Sequence, residues 1–257
     1  MAVPTVVADE RAARRLAPPA AAEAHLWWAD LDAGADTVRR LSPFLSDDEL
    51  DRASAFRFAR DRRRFVVGRG VLRELLGAYL NTEPASLRFA YGSHGKPRVD
   101  GAELSFNLSH SGACALYAFG AGFELGVDVE ILGVELDFEQ VAETVFSPRE
   151  LTELRALPSE ARPHAFLRGW TRKEAIVKGC GDGLSMPLQS FDVPLRPLEA
   201  AEPVERPLQI VRGWRLHDLS PLCPGFAAAL AARRRIETIV STEWRDHSER
   251  TTGKEHV

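Results

Sequence analysis

The sequence predicts an α+β fold built as two similar α/β lobes, and three observations predict it. Strand-like and helix-like stretches follow one another in the order strand, helices, strands, and that order is written twice, with a seam near residues 120–125. A capping box opens helical sequence in each half: Ser46-Asp47-Asp48-Glu49 in the first and Ser147-Pro148-Arg149-Glu150 in the second. The 257 residues are enough for two modest domains, each with its own core. No residue-level repeat accompanies the repeated order, so a pseudo-two-fold relation between the lobes is an inference from element order alone.

In chain order, residues 1–23 are Ala-, Pro- and Arg-rich without steady periodicity and read as a loosely ordered extension. The N-terminal lobe is assigned to 24–123, the C-terminal lobe to 124–240, and 241–257 to a polar, frayed tail. LWWADL (26–31) is the first strand. The capped region from Ser46 is helical to Leu80 with a break near Asp61, and Phe65, Leu72, Leu76 and Tyr79 recur at helical spacing toward a core. Leu87–Tyr91 and Leu104–Asn107 are strands flanking a turn-rich YGSHGKPRVDG, and CALYAF (114–119) and LGVDVEI (125–131) follow. In the second half, Phe138–Val145 is an amphipathic helix, Pro148 sits at the first position of the capped helix, and a long helix covers 161–179. Strands at 190–194, 209–217, 225–231 and 236–240 close the fold.

Composition narrows the class. Hydrophobic residues make up 45% and charged residues 27%, as in an ordinary globular chain. A formal net charge of -4 speaks against a nucleic-acid or membrane-surface partner. Three cysteines without a CxxC pair argue against a disulfide framework or a structural zinc and for a reducing compartment. Charged residues interrupt the N-terminal stretch before it can form a signal-like apolar run, and no run is long enough to span a bilayer. A cytoplasmic protein is the expectation.

Five stretches can carry chemistry. In GVDVE, Asp128 and Glu130 are two residues apart on a strand, so both point one way, about 6.6 Å apart along the backbone. Val127, Val129 and Ile131 take the core side. Two carboxylates this close repel unless solvated, sharing a proton or holding a cation; an oxygen-only pair suits Mg²⁺, but an isolated acidic pair is more often a solvent-facing strand edge. In WTRKEAIVKGCGDGL, Glu174 and Lys178 stack one turn apart and Trp170 shares their stripe. The glycines that follow either admit a ligand close to backbone or simply end the helix. FNLSHSG ends a strand in small polar groups, where His110, Ser109 and backbone N–H groups could receive an anion or merely form a turn. No G-x-S-x-G elbow makes Ser109 or Ser111 a nucleophile. GKPRV places Lys96 at a tight turn. The arginine run Arg52, Arg57, Arg60, Arg62, Arg63, Arg64 and Arg69 cannot share one helix face, so several must be solvated.

Taken in order, GKPxV, FNLSHSG, GVDVE and WTRKEAxxKGxGxGL resemble the 4′-phosphopantetheinyl transferase superfamily over about residues 26–240. The two-lobed monomeric type that activates polyketide and peptide synthetase carriers fits the doubled architecture. The resemblance implies an active site at the lobe interface and transfer of the phosphopantetheine arm of coenzyme A to a serine of an apo acyl or peptidyl carrier protein. Adenosine 3′,5′-bisphosphate is the other product. By the same resemblance Asp128, Glu130 and Glu174 ligate Mg²⁺, with Mn²⁺ as a second candidate. Glu174 accepts the serine proton, directly or through a metal-bound water, and Lys178 stabilises the leaving bisphosphate or protonates it. Lys96, Ser109 and His110 match contacts to the phosphates of coenzyme A, Asn107 supports their loop, and Arg52 and Arg64 match basic positions reaching the nucleotide.

Some relatives carry lysines before the first helix where this chain has Asp47, Asp48 and Asp51, which shifts the 3′-phosphate contact toward arginine. Glu150 matches a family position of structural or carrier-facing use, and Phe138, Val145 and Phe146 are core or carrier contact. Two rivals stand beside the transferase: a non-catalytic regulator binding coenzyme A or a nucleotide on the same fold, and a metal-dependent phosphohydrolase using water.

Overall fold

A computed structural model describes residues 5–8, 15–92, 95–133, 137–181, 186–204 and 211–246. Its elements are mixed α and β. The first half contains β1 (Thr5–Ala8), β2 (Glu23–Asp30), α1 (Ala35–Leu41), α2 (Asp47–Ser54), α3 (Ala59–Leu80), β3 (Phe89–Tyr91), β4 (Pro97–Val99), β5 (Leu104–Ser111) and β6 (Cys114–Ala121). The second contains β7 (Leu125–Ile131), α4 (Phe138–Val145), α5 (Pro148–Ala156), α6 (Arg162–Cys180), β8 (Glu202–Pro203), β9 (Arg215–Asp218), β10 (Phe226–Ala232) and β11 (Thr238–Glu243).

Both predicted capping boxes form. The Ser46 amide donates to the Glu49 carboxylate at 3.1 Å, and the Ser147 amide to that of Glu150 at 2.8 Å. The helix break falls at 55–58 and not near Asp61. Asp61 lies in the first turn of α3, where a carboxylate complements the helix dipole and opens the helix instead of interrupting it. Leu72, Leu76 and Tyr79 are buried against β2 and β6 through Trp27, Tyr117 and Phe119, whereas Phe65 is half-buried beside a cleft.

Two sheets organise the molecule, ordered β1-β11-β2-β6-β5 and β7-β10-β9-β8, with β3-β4 a separate ribbon. Leu26, Leu116 and Ala118 on the first meet Leu125, Val127, Val129 and Leu230 on the second, making a buried layer between the sheets. α3 covers the outer face of the first sheet, and α6 covers that of the second through Ala175, Ile176, Ala229 and Ala231. Val145 and Phe146 are core between α4, α5 and α6, with Phe138 packed at its margin.

Three elements differ from the sequence reading. Residues 190–194 form no strand beyond an isolated bridge, because the carbonyls of Leu188 and Phe191 accept the Lys173 ammonium, each at 2.7 Å. Residues 5–8, placed in a loosely ordered extension, form β1, parallel to β11. β11 itself joins the sheet of the first half, parallel to β2, and runs to Glu243. Part of the 209–217 strand lies outside the described residues; β9 begins at Arg215.

Within each sheet one order recurs. β2 pairs antiparallel with β6, which pairs antiparallel with β5; likewise β7 pairs with β10, and β10 with β9.

Candidate active site

The seam between the sheets is where β5 meets β7. No backbone ladder joins them; side chains of β5 do the joining. Asn107 Oδ1 accepts the Val127 amide at 2.9 Å and Ser111 Oγ the Ile131 amide at 3.1 Å, so the two strands run the same way at a constant offset. The expected FNLSHSG loop is therefore continuous strand through Ser111, turning directly into Cys114. Strand alternation then sorts its residues: Asn107, Ser109 and Ser111 face β7, while Leu108 and His110 face the cleft.

Asp128 and Glu130 do project from one face of β7. Asp128 is 3% exposed, which rules out a solvated edge. Its Oδ1 accepts Ser109 Oγ at 2.7 Å and Lys178 Nζ at 2.5 Å, and its Oδ2 is buried without a partner among the described residues. Ser109 Oγ also accepts from Lys178 at 2.8 Å, so the hydroxyl that was expected to face a phosphate is turned to the Asp128–Lys178 pair. Glu130 accepts Ser111 Oγ at 2.7 Å. Ile131, expected in the core, is 39% exposed at the strand end.

α6 brings Glu174 and Lys178 over β7 by close backbone approach. A Cβ at Gly126 would overlap the Ala175 carbonyl and the Gly179 amide, and a Cβ at Gly179 would enter the Trp214 ring. Gly179 thus serves packing. Gly181, at φ 75°, is the left-handed residue that ends the helix.

Burial and mutual repulsion push the acids one way. The Glu174 carboxyl is raised above its ordinary value by burial and then by the Asp128 charge, with Lys178 opposing. Glu130 is raised by burial, with Ser111 opposing, and Asp128 by burial against Lys178 and Ser109. Three carboxylates that each resist ionising are the environment a divalent cation relieves. Among the described residues no three His, Cys, Asp or Glu side chains are already gathered around a metal-sized point. The oxygen-only donors and the unpartnered buried Asp128 Oδ2 nonetheless fit a hard cation such as Mg²⁺.

Beside the acids lies a cleft of about 660 Å³. Arg52, Arg64 and His110 line it, together with Arg69 from the same arginine run. Arg64 is held by Asp32 through two bonds of 2.7 Å, and Arg52 lies 5.3 Å over the Phe65 ring. His110 is held below its ordinary pKa, first by desolvation and then by the Lys178 charge. Lys96 is not in this group: its ammonium is turned away onto Glu124 and two carbonyls.

Sequence reasoning missed Ser111, the hydroxyl that orients Glu130. A signal existed for Ser111: Ser109-x-Ser111 has the same two-residue spacing as Asp128-x-Glu130, as side-by-side strands require. Glu150 is 1% exposed and pairs with the fully buried Lys173 at 2.8 Å, which gives it a structural place away from the surface. Among the described residues no helix is long and apolar enough to cross a membrane.

Comparison with known proteins agrees with the motif order. Residues 124–231 match the 4′-phosphopantetheinyl transferase superfamily, and residues 33–120 match the family described as 4′-phosphopantetheinyl transferase, N-terminal. The 4′-phosphopantetheinyl transferase HetI of Nostoc sp. is 42% identical over 203 residues, covering 77% of this chain and 83% of that protein. Sfp of Bacillus subtilis is 30% identical over 158 residues, 61% of this chain and 69% of that protein. AcpT of Salmonella typhimurium is 41% identical over a shorter 110 residues, 42% and 56%. The match across most of HetI, with both halves of the chain recognised, places this protein in the 4′-phosphopantetheinyl transferase superfamily.

Proposed function

We propose that the protein transfers the 4′-phosphopantetheine arm of coenzyme A to a serine of an apo carrier protein, releasing adenosine 3′,5′-bisphosphate. The observation that carries the chemistry is the meeting of Asp128, Glu130, Glu174 and Lys178 at one seam, beside a cleft lined by Arg52, Arg64 and His110. Asp128, Glu130 and Glu174 would hold Mg²⁺, with Mn²⁺ an acceptable substitute for the same oxygen donors. A bound divalent cation supplies charge neutralisation at the pyrophosphate under attack. Glu174, its carboxyl held above its ordinary pKa by burial and by the Asp128 charge, takes the proton of the carrier serine. Lys178 provides positive charge for the departing bisphosphate. Arg52, Arg64 and His110 receive the nucleotide phosphates. Ser109 and Ser111 orient the acids, and Asn107 fixes β5 against β7.

The same reading takes the chain as two lobes, 24–123 and 124–240, related by a pseudo-two-fold, acting as a monomer in the cytoplasm. The recurring strand orders β2-β6-β5 and β7-β10-β9 support the doubling. Incubating the protein with coenzyme A, Mg²⁺ and a panel of apo acyl and peptidyl carriers tests the function. A carrier mass gain of one phosphopantetheine arm is expected. No gain on any carrier overturns the reading, and coenzyme A consumed at full rate without a carrier assigns the site to hydrolysis instead.

A further inference from the structure

Lys96 sits on the short β3–β4 hairpin, with Tyr91 opposite Pro97 and the Gly92 amide donating to the Lys96 carbonyl at 3.0 Å. Its side chain is 11% exposed. The ammonium reaches the Glu124 carboxylate at 2.7 Å, the Leu125 carbonyl at 3.1 Å and the Gly179 carbonyl at 2.7 Å. An ammonium has three N–H donors, and all three are used. The acceptors come from two elements: Leu125 begins β7, and Gly179 lies in the last turn of α6, whose carbonyls have no partner within the helix. A cation at this end also complements the helix dipole.

Gly126 and Gly179 let β7 and α6 pack backbone to backbone, and the two carbonyls that Lys96 reaches are those of Gly179 itself and of the residue before Gly126. Two glycines in contact offer no side chain to stop α6 sliding along β7. A slide of one residue is about 1.5 Å, enough to part Lys178 from Asp128. We propose that Lys96 is a positioning residue that fixes the register of α6 on β7, and with it the placement of Glu174 and Lys178 against Asp128 and Glu130. The 3′-phosphate of coenzyme A is then received by the arginines and His110 of the cleft, without Lys96.

This inference rests on the transferase reading for its kinetic test and on hydrogen exchange for a test independent of activity. Lys96→Met and Glu124→Gln are compared with the wild type for kcat and KM, using coenzyme A and 3′-dephospho-coenzyme A with an apo carrier. Exchange is followed by mass spectrometry in the peptide covering 175–181, without ligand. For Lys96→Met we expect kcat lower by about tenfold to a hundredfold, as a misplacement of about 1 Å produces. The KM for coenzyme A should stay within about twofold, the preference for coenzyme A over its dephospho form should persist, and exchange in 175–181 should quicken. Glu124→Gln keeps both carbonyl bonds and should leave kcat unchanged. A raised KM with unchanged kcat and a lost preference for coenzyme A would make Lys96 a phosphate clamp. Normal kcat in a protein that merely melts earlier would make it structural. Either result, or unchanged exchange at 175–181, overturns the proposal. If Lys96→Met does not fold, Lys96→Arg is used: its planar fork cannot meet all three acceptors, so exchange must still quicken. A wild type that transfers nothing, with exchange quickened in the variant, would sink the transferase reading and leave the lock standing.

Discussion

α3 and α6 carry the same pair of residue types at the same place, a buried cation followed by a glutamate, and the two glutamates have opposite fates. On α3, Arg73 pairs with the capping-box residue Glu49 at 2.6 Å and donates to the carbonyls of Pro84 and Leu87. On α6, Lys173 pairs with the capping-box residue Glu150 and donates to the carbonyls of Leu188 and Phe191. Each helix is thus bolted to the capped helix before it and to the segment after it. The next residue differs in its surroundings. Glu74 accepts Arg40 at 2.6 Å and the Trp244 indole at 2.9 Å, so its charge is compensated. Glu174 has no such donor among the described residues and faces Asp128 and Glu130 instead. The same framework commits one glutamate to stability and leaves the other poised for chemistry, which is where perturbed carboxyls are expected.

The sharpest way to break this comparison is Glu174→Gln. Transfer should fall by about a thousandfold or more, because on the proposed mechanism the proton acceptor and one cation ligand go together. The metal-free protein should fold and melt higher than wild type at neutral pH. The sign follows from the raised pKa: ionising Glu174 is harder in the folded state, so its destabilising effect appears as pH rises through the folded value. The gain in Tm should be present near pH 8 and vanish near pH 4, where the carboxyl is protonated in both states. Thermal melts across that range with a carrier mass assay check both halves. Retained transfer would remove Glu174 from its role, and a lower Tm at pH 8 would show that its charge is compensated after all.

How much of this was readable beforehand depends on how far apart the partners are in the chain. The common face of Asp128 and Glu130 follows from strand alternation, and the Glu174–Lys178 stripe from helical spacing, both local. The capping boxes are local too, and both formed. Contacts between distant segments were not legible. Nothing near Lys96 announces acceptors 28 and 83 positions away, so a lysine on a glycine turn reads as an anion site. Lys173, inside TRKEA, has no local sequence mark of burial, and its burial becomes tolerable only through Glu150 and two distant carbonyls. β11 crosses into the first sheet for a reason of the same kind, since its pairing with β2 joins residues over two hundred positions apart.

The matched bolts should differ in strength. Glu150→Ala leaves Lys173, with no exposed surface, holding two neutral carbonyls; the expected loss is about 3–5 kcal/mol, read from urea unfolding. Glu49→Ala should cost less. Arg73 keeps Ser46, Pro84 and Leu87 as acceptors, and Arg69, the other partner of Glu49, is partly exposed and can be hydrated. Equal losses would mean that the buried cations, not their remaining acceptors, set the cost.

The smallest effect belongs to Glu74→Gln. Arg40 and Glu74 are both partly exposed, 29% and 21% of their side-chain surfaces, so water already screens the pair. A Gln there has one acceptor oxygen in place of two: it can keep the Trp244 indole bond and the longer Arg40 contact, and it gives up the 2.6 Å bond from Arg40 together with the charge. The cost should be about 0.5–1 kcal/mol, and transfer should stay within about twofold of wild type. Set beside Glu174→Gln, the same chemical change at the matching helix position then separates a structural glutamate from a reactive one by three orders of magnitude in rate. A Glu74→Gln protein that lost transfer without losing stability would show that the first half contributes a reacting group, and that the division of labour between α3 and α6 is not the one their surroundings describe.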